Sequence, residues 1–505
     1  MRPGDNETVD VVVVGGGGAG LAAAIEARRF GRYVTLLEKN ARLGGSTSWS
    51  IGSVTATATP HQIAKDIKDG PDGHYADMPD FAGPLAQRDN DELRRILCEE
   101  MPETFRWLLS HGIRFFGPMP ELPHKQPRMH NVLPNSRAYV YHLERAARRS
   151  GVRILTRTRA KELLREGPRV SGVACETDHG PARFHARGGV ILATGDFTNS
   201  PELKRIHMGE RAASVEAINP TATGDGQSMG IAAGGRILNG DLALGPEIRF
   251  VPPRKPNLLR LLPPWTWLGE FMAWSLTHMP DAILRPFVMS FLTTALAPSP
   301  ALFRQGAVLI NGQGRRFTDE LDQPAFAIPD QPDAVAYILV DGRIAKLFSA
   351  WPHFISTAPG VAYAYMADYR RNRKDIYAEG RSLDELAARL GIAAVTLRAT
   401  VAEHNDVVRR SLTNRPPLVE PPFTALGPVR AVFVHNEGGL AVDSSHRVLD
   451  REDKPIPGLY AAGSTGQGGL LLKGHGHHLA WAFVSGRRAG RIAAFAAASP
   501  PTVTG

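Results

Sequence analysis

Only two cysteines, Cys98 and Cys175, occur in the 505-residue chain, and neither stands in a paired motif. This scarcity argues against a disulfide framework, a zinc ribbon and an iron–sulfur cluster. The sequence also has no C-x-x-C-H signal for haem attachment. Any redox chemistry of this chain therefore has no built-in electron relay.

A concentrated basic stripe is also missing, although the formal net charge is +9. Because the arginines are dispersed, we expect no nucleic-acid partner. A solvated basic surface, which anionic lipid can attract, explains the net charge instead. The leading residues MRPGDNETVD lack the pattern of a signal peptide. We therefore expect a cytoplasmic protein, with peripheral membrane contact as the alternative.

The first forty residues carry the clearest positive signal. The apolar run Val11–Val14 enters a glycine cluster, an alanine-rich segment follows, and a second apolar run ends at Glu38. Gly15, Gly17 and Gly20 fit the pattern G-x-G-x-x-G, which allows a tight turn, close approach of a pyrophosphate and close helix packing. The helix that begins there directs N–H groups at the phosphates, and Glu38 suits a ribose hydroxyl. This strand–turn–helix–strand unit predicts a dinucleotide site.

Several further elements are predicted along the chain. Apolar periodicity indicates helices over 91–111 and 139–150, and helical segments over 383–405 with a break at Gly391. The buried-type run Val190–Ala193 predicts a strand that ends beside a ligand. The last alanine-rich segment resembles the first helix, which suggests that the C terminus rejoins the dinucleotide domain.

The segment 250–303 differs in composition from the rest. It carries many prolines, three tryptophans and long apolar patches broken by isolated charges. The run Pro286–Phe303 is long enough to resemble a membrane span, but Pro298 and Pro300 interrupt it. We interpret the segment as short amphipathic helices that cover an apolar cavity. A monotopic membrane contact, plain core and an oligomer interface are the alternatives.

Six short motifs together point to a family. They are GGGGAGLAAAIEA at 15–27, LGGS at 43–46, ATGDF at 193–197, TGDG at 223–226, GRRFTDE at 314–320 and GLYAAG at 458–463. With these motifs the chain resembles the succinate dehydrogenase/fumarate reductase flavoprotein family, and within it the soluble 3-ketosteroid dehydrogenases and fumarate reductases. The resemblance implies an α/β fold: a Rossmann-like FAD-binding domain of the glutathione-reductase type with an inserted α+β substrate or capping domain. The implied boundaries are 1–238 and 435–505 for the FAD-binding domain and 239–434 for the capping domain.

The cofactor implied by the resemblance is FAD. A single G-x-G-x-x-G also favours one tightly bound flavin over a nicotinamide site. His61 follows LGGS, but the family's attachment sequence is not reproduced there, so we expect a non-covalent flavin. The implied contacts are Gly15, Gly17, Gly18, Ala19, Gly20, Glu38, Lys39, Gly44, Gly45, Ser46, Thr194, Gly195, Asp225, Gly463, Gly476, His478 and Leu479.

Two candidates for proton transfer come from GRRFTDE. Arg316 falls on the arginine that fumarate reductases of this family use as a proton donor, and Glu320 falls on the acid beside it. A guanidinium is normally fully protonated, so this role demands an unusually organised site. The alternative is a structural arginine paired to Asp319 or Glu320.

Two candidates for substrate binding lie near the C terminus. The resemblance places His435, in HNEGG, and Lys473, in LLKGHG, on residues that contact the substrate carboxylate in fumarate reductases. Both side chains suit a carboxylate or a polarised carbonyl. Tyr363, Tyr365 and Tyr139 are weaker candidates for proton transfer.

The sequence departs from both substrate classes of the family. The His-Pro-Thr motif of the dicarboxylate reductases is missing after Gly240, and Leu472 stands where ketosteroid dehydrogenases carry a tyrosine. The segment GHGHH contains three histidines, but no separate cluster of acids or cysteines completes a metal shell. We therefore expect no metal, and expect these imidazoles to flank the flavin.

The leading hypothesis is a flavoenzyme that acts on a carbon–carbon bond beside a carbonyl, by α,β-dehydrogenation or ene-reduction. The apolar segment 250–303 favours a hydrophobic, steroid- or terpenoid-like ketone, and an external electron acceptor or donor is required. One alternative is a fumarate-reductase-like reductase of an unsaturated carboxylic acid. Another is a flavoprotein component of a membrane electron-transfer complex.

Overall fold

Two large sheets, each with its own apolar core, organise the computed structural model. The structure describes residues 7–253, 261–280, 283–285, 289, 293, 296–358, 362–410 and 415–498. The first sheet has eight strands: Glu7–Val14, Val34–Leu37, Arg153–Leu155, Thr158–Glu166, Arg169–Thr177, Gly180–Leu192, Arg447–Leu449 and Pro455–Ala461. The second has six: Glu216–Ala217, Glu247–Phe250, Val308–Asn311, Ala336–Val340, Tyr377–Gly380 and Phe423–Phe433.

The strand Glu7–Val14 lies at the centre of the first sheet. It pairs in parallel with Val34–Leu37 on one side and with Gly180–Leu192 on the other. Arg153–Leu155 and Pro455–Ala461 extend the parallel set outward. The run Val11–Val14 is wholly buried because both faces of the sheet are covered, which explains its continuous apolar sequence. The predicted strand at 190–193 is confirmed as the end of Gly180–Leu192.

The first and last long helices, Gly18–Arg29 and His477–Ala496, pack directly on each other. A Cβ added at Gly486 would lie 2.3 Å from the Ala19 carbonyl oxygen, and one at Gly490 would lie 2.2 Å from that of Ala23. Glycine at both positions therefore permits this close approach. The C-terminal helix therefore packs on the helix that follows the glycine turn.

The second sheet is built around the long strand Phe423–Phe433. Ala336–Val340, Tyr377–Gly380 and Glu247–Phe250 pair with it in antiparallel fashion. The chain first enters this sheet at Glu216–Ala217, before the boundary at 239 that the sequence suggested. The segment around Met229 then returns to the first core. The second unit is therefore assembled from more than one stretch of the chain.

The described part of the apolar segment 250–303 contains the helix Thr266–His278. It packs on a three-stranded sheet of Ser53–Thr55, Arg114–Met119 and Met129–Leu133. Its aromatic side chains face outward: Trp267, Phe271 and Trp274 are each more than half exposed. Residues 254–260 and most of 281–295, which the sequence assigned to short helices, lie outside the described residues. None of the described helices is both long and apolar enough to traverse a bilayer.

The predicted helices are confirmed with small shifts at their ends. The helix over 91–111 is observed as Asp91–Ser110, and that over 139–150 as Arg137–Arg149. The predicted break occurs at Gly391, which has a φ of +70° and separates the helix Leu383–Leu390 from the helix Ala394–Arg410. The other α-helices are Gly45–Trp49, Pro60–Ile63, Pro71–Ala82, Pro201–Met208, Glu210–Ala213, Asp225–Ala232, Ala301–Arg304, Gly342–Leu347, Met366–Asn372, Leu383–Leu390 and Ala394–Arg410. Short two-stranded pairs join Ile237–Leu238 to Gly439–Leu440, Ala243–Leu244 to His435–Asn436 and Ser356–Ala358 to Ala362–Ala364.

Candidate functional site

The three motif glycines of the first turn serve different purposes. A Cβ at Gly15 would lie 2.3 Å from the Ala193 carbonyl oxygen, and one at Gly20 would lie 1.8 Å from that of Gly15. These two glycines are therefore required for packing of the protein itself. At Gly17 the nearest atom to an added Cβ, the Gly44 carbonyl oxygen, would be 3.7 Å away. Gly17 thus faces open space at the start of the helix.

Further loops meet at this open space. The Gly44 N–H donates to the Gly16 carbonyl at 3.0 Å, which brings the LGGS loop onto the glycine turn. A Cβ at Gly45 would have no neighbour nearer than 3.7 Å, and one at Gly195 would have none within 4 Å. Gly17, Gly45 and Gly195 thus each leave room beside the backbone that an added Cβ would not fill with a clash. Such room, beside a helix N terminus, suits a pyrophosphate.

Glu38 and Lys39, which the sequence predicted as cofactor contacts, are held by specific partners. One carboxylate oxygen of Glu38 accepts from the Gly16 N–H at 2.8 Å, and the other accepts from Asn40. Lys39 Nζ lies 3.0 Å from the Asp225 carboxylate and 2.5 Å from the Thr223 hydroxyl. Lys39 and Asp225, predicted separately from the sequence, therefore form an ion pair. Burial opposes ionisation of Asp225, yet Lys39 and Arg159 hold its pKa below the ordinary value.

Thr194 and Gly463, also predicted as cofactor contacts, join two loops at the strand ends. The Thr194 hydroxyl lies 3.1 Å from that of Thr465 and accepts from the Gly226 N–H at 3.0 Å. The Gly463 N–H donates to the Ser485 hydroxyl at 2.8 Å. The carboxyl ends of Gly180–Leu192 and Pro455–Ala461 are thus fixed beside the glycine turn.

The three histidines of GHGHH point into three separate environments. His475 pairs with Glu121, and its ring Nδ1 lies 2.5 Å from the carboxylate. His477 lies against two other histidines, whereas the ring of His478 lies 3.8 Å from that of His435. Gly476, with φ of +91°, makes the turn between them, and its Cβ would lie 2.6 Å from the Thr55 nitrogen. No sequence spacing indicated these partners.

His435 and His478 lie beside a buried carboxylate, Glu437. Glu437 accepts from Gln467 Nε2 at 2.5 Å and from the Leu472 N–H at 3.0 Å, and lies 3.5 Å from His478 Nε2. Burial alone would raise the pKa of Glu437, but His478, His435 and the Leu472 N–H lower it to about 2. Burial, and then His478, lower the pKa of His435 to about 3. The carboxylate is therefore ionised and His435 is neutral at physiological pH.

Several buried polar atoms near this carboxylate have no hydrogen-bond partner among the described residues. They are His435 Nδ1, both side-chain polar atoms of Asn436, and Gln467 Oε1. Buried polar atoms are normally paired, so such a group marks a place where a polar ligand completes the hydrogen bonding. The site thus combines a phosphate-type cradle with a second, hydrogen-bonding edge.

A family model described as an FAD binding domain matches residues 10–256 and 270–471. The chain belongs to this FAD-binding family. The match confirms the predicted flavoprotein resemblance and FAD as the cofactor. The unmatched residues 257–269 fall inside the apolar segment 250–303, which differs in composition from the rest of the chain.

Similar proteins include reductases of conjugated acids. An NADH:fumarate oxidoreductase of Klebsiella pneumoniae is 26% identical over 90% of this chain. An NADH:acrylate oxidoreductase of Vibrio harveyi is 26% identical over 96% of it. The chain spans about half the length of these relatives, 44% and 50% respectively. The open form of a flavocytochrome c3 fumarate reductase shares the fold, with a TM-score of 0.72, 24% identity, and coverage of 98% of this chain and 79% of that one.

The residues of this flavoprotein fit FAD. The open space at Gly17, Gly45 and Gly195 suits the pyrophosphate, Glu38 is the residue that would hold the ribose, and the buried polar atoms near Glu437 named above suit the edge of an isoalloxazine. Bound FAD supplies a two-electron hydride carrier. The protein's contribution is to hold it and to place substrate groups beside it.

A cluster of three buried histidines, His74, His124 and His477, was not foreseen from the sequence. Each pair of ring centroids is 5.3 Å apart, and the Nε2 atoms of His74 and His477 are 3.0 Å apart. The spacing resembles a metal triad, but His124 Nδ1 accepts from Arg128 Nη1 at 2.9 Å. A neutral His124 then carries its proton on Nε2 and has no free lone pair for a metal. The donor set therefore suits a hydrogen-bonded cluster that fixes the start of the last helix.

Arg316 lies in a different environment from the flavin motifs. Its Nε and Nη2 donate to the Glu320 carboxylate at 2.9 and 2.8 Å, and Arg415 donates to the same carboxylate at 3.0 Å. Glu320 is buried and also accepts from the Leu309 N–H at 3.0 Å. The hydrogen bonds of the Arg316 side chain to Glu320 therefore lie within the second core. They do not join it to Lys473 or His435.

The candidate tyrosines also lie in other surroundings. The ring of Tyr363 packs on Trp351 and Phe354, with centroids 4.9 and 5.0 Å away. Tyr365 precedes the helix Met366–Asn372. Tyr139 is buried, and its hydroxyl donates to the Gly52 carbonyl at 2.8 Å, which gives it a structural contact.

Proposed function

We propose that this flavoprotein is an oxidoreductase that transfers a hydride and a proton across a carbon–carbon bond conjugated to a carboxylate or ketone. The observation that carries the proposal is the position of Lys473. It lies in the turn that leads into the flavin-binding helix His477–Ala496, close enough to His435 to lower the pKa of that imidazole. No carboxylate lies within 4.0 Å of its ammonium among the residues that the structure describes.

A cation without a protein partner suits an anionic or polarised substrate oxygen. Addition of hydride at the β-carbon moves negative charge onto the conjugated oxygen, and an ammonium placed there stabilises this charge. His435, neutral because of burial, can donate a hydrogen bond to the same group. Lys473 and His435 would thus anchor and polarise the substrate.

An unsaturated carboxylic acid is the substrate class that a free ammonium favours, because an ion pair with a carboxylate is stronger than a hydrogen bond to a ketone. The fumarate and acrylate reductases among the similar proteins support this choice. The outward aromatic side chains of Thr266–His278 favour the second candidate, a hydrophobic, steroid- or terpenoid-like ketone that enters past an apolar surface. The second unit would cap the substrate in either case.

The electrons must come from or go to another molecule. The sequence contains no haem or iron–sulfur signal, so we propose a non-covalent FAD that exchanges electrons with an external donor or acceptor. The same surface of Thr266–His278 could be used for peripheral membrane contact. In that case the chain would serve as the flavoprotein component of a larger electron-transfer complex.

The test uses the FAD-loaded protein, reduced under anaerobic conditions and mixed with conjugated acids or cyclic enones. We expect acids such as fumarate, acrylate or urocanate to reoxidise the flavin, seen in its visible absorbance. Lys473→Met should raise KM for the acids by roughly 10- to 100-fold, because one charged hydrogen bond contributes about 1.5–3 kcal/mol.

The matched control is Lys454→Met, which removes another lysine, 73% exposed and paired to Glu452 on the surface. It should leave KM unchanged. A response to enones alone would favour the ketone candidate. A reduced flavin that neither panel reoxidises would overturn the proposed function.

A further inference from the structure

We propose that His475, held by the buried carboxylate of Glu121, transfers the proton at the substrate α-carbon. This role rests on the proposed function and assigns its proton-transfer step to a residue other than Arg316. It makes Glu121, which sequence motifs did not indicate, a positioning residue.

His475 is fixed from three sides. Its backbone N–H donates to Glu121 Oε1 at 3.0 Å, and its ring Nδ1 lies 2.5 Å from the same oxygen. The Thr55 hydroxyl donates to its carbonyl at 2.6 Å. The Glu121 side chain is 7% exposed, whereas that of His475 is 48% exposed. Nδ1 is therefore occupied, and Nε2 is the nitrogen left for exchange with a substrate or water.

The surroundings of His475 place it where the two units of the fold meet. The charged and titratable groups that act on it, or on which it acts, come from both units and from its own turn. They are Glu121, Glu247 and Arg249, which act on His475, and His435, on which both His475 and Lys473 act. Glu247 and Arg249 belong to a strand of the second sheet, whereas Lys473 and Gly476 belong to the flavin-binding turn. A substrate anchored by Lys473 would therefore lie beside His475.

Titration behaviour separates His475 from its neighbours. The hydrogen bond to Glu121 raises the pKa of His475 above its ordinary value of 6.5, although burial opposes this. Burial lowers the pKa of His435 to about 3 and that of His477 to about 4. Of these three imidazoles, His475 is therefore the one that holds a proton most readily. The hydrogen bond to Glu320, in contrast, raises the pKa of Arg316 above its ordinary value, so that this guanidinium gives up a proton less readily.

In the reducing direction the substrate gains one hydride and one proton. The hydride received at the β-carbon would come from reduced FAD when that cofactor is bound. The electron pair of the C=C bond moves to the α-carbon, and the proton leaves His475 Nε2 to form the new C–H bond there. His475 is left neutral and regains a proton from water. The external electron donor restores the reduced cofactor. Dehydrogenation is the reverse, with neutral His475 as the base.

The experiment compares His475→Gln and Glu121→Gln with the wild-type holoenzyme. General acid catalysis typically contributes about 10²–10⁴-fold. We therefore expect His475→Gln to slow substrate-dependent flavin reoxidation by at least roughly 100-fold. FAD content and reoxidation by dioxygen should be unchanged. The matched control is His179→Gln, an exposed histidine on a turn of the first sheet.

The pH profile tests the role of Glu121. The protonated imidazole is the active form in reduction, so the wild-type rate should fall as pH rises through the pKa of His475. In Glu121→Gln, which lacks the carboxylate, the fall in rate should occur at lower pH. Histidine ¹⁵N resonances of the oxidised holoenzyme give the pKa directly, because His475→Gln identifies the signal by its loss.

Each outcome decides a different point. A wild-type protein that no conjugated substrate reoxidises overturns the proposed function and this role with it. An active wild type whose rate His475→Gln lowers less than threefold overturns only the role of His475. An unshifted pKa in Glu121→Gln overturns the positioning role of Glu121.

Discussion

Gly17→Ala is expected to give a folded apoprotein that binds FAD about 10- to 100-fold more weakly. An added Cβ would be 3.7 Å from the nearest protein atom, so the protein itself accommodates it. The same methyl group stands where the pyrophosphate approaches the backbone. Forcing an extra carbon into a filled contact costs about 1–3 kcal/mol, which gives this loss of affinity. FAD titration of the apoprotein, followed by quenching of flavin fluorescence, measures it.

Gly20→Ala is the matched comparison, because it adds the same methyl group three positions later. There the Cβ would be 1.8 Å from the Gly15 carbonyl oxygen, so the backbone of the turn must move. We expect the apoprotein itself to lose at least about 1–3 kcal/mol of stability. Thermal unfolding without FAD should therefore separate the two variants. Wild-type FAD affinity in Gly17→Ala would refute the assignment of Gly17 to the cofactor.

These contrasting glycines show what a local pattern can predict. The steric demands of a strand–turn–helix unit are set by residues close in sequence, so Gly15, Gly17 and Gly20 were recognisable at once. Lys39 and Asp225 were each identified by their motifs, and the structure joins them in an ion pair. The ends of Asp91–Ser110 and the break at Gly391 also follow from local periodicity and capping.

Long-range partners were not recognisable in the same way. Glu121 is 354 residues from His475, and His74 is 403 residues from His477. Nothing in the sequence around Glu121 or His74 distinguishes it from a surface acid or a core histidine. The motif GRRFTDE identified Arg316 but not Arg415, which shares the Glu320 carboxylate. Motif position predicts the type of residue, whereas the partner that sets its chemistry depends on the completed fold.

Removal of a buried cation should have the largest effect on stability. The Arg128 side chain is 1% exposed, and its guanidinium donates to Asp69 at 2.8 Å and to Asp77 at 2.6 Å. It also holds His124, which packs on His477 at the start of the last helix. Arg128→Met removes the buried cation shared by both carboxylates and leaves Asp77 with Lys125, whose ammonium lies 3.2 Å away. We expect a loss of about 3–5 kcal/mol in the free energy of unfolding, measured by urea denaturation.

The control is Arg88→Met, which breaks the exposed ion pair between Arg88 and Asp241 and should cost at most about 1 kcal/mol. Adding Asp69→Asn and Asp77→Asn to Arg128→Met should restore part of the lost stability, because the buried negative charges are then gone. If Arg128→Met lowers the free energy of unfolding by no more than Arg88→Met does, the pairing of Arg128 with the two buried carboxylates does not stabilise the fold. A stability loss that the two asparagines do not relieve would instead assign the effect of Arg128 to its contact with His124. Since that contact supports the helix His477–Ala496, FAD affinity would then fall together with stability.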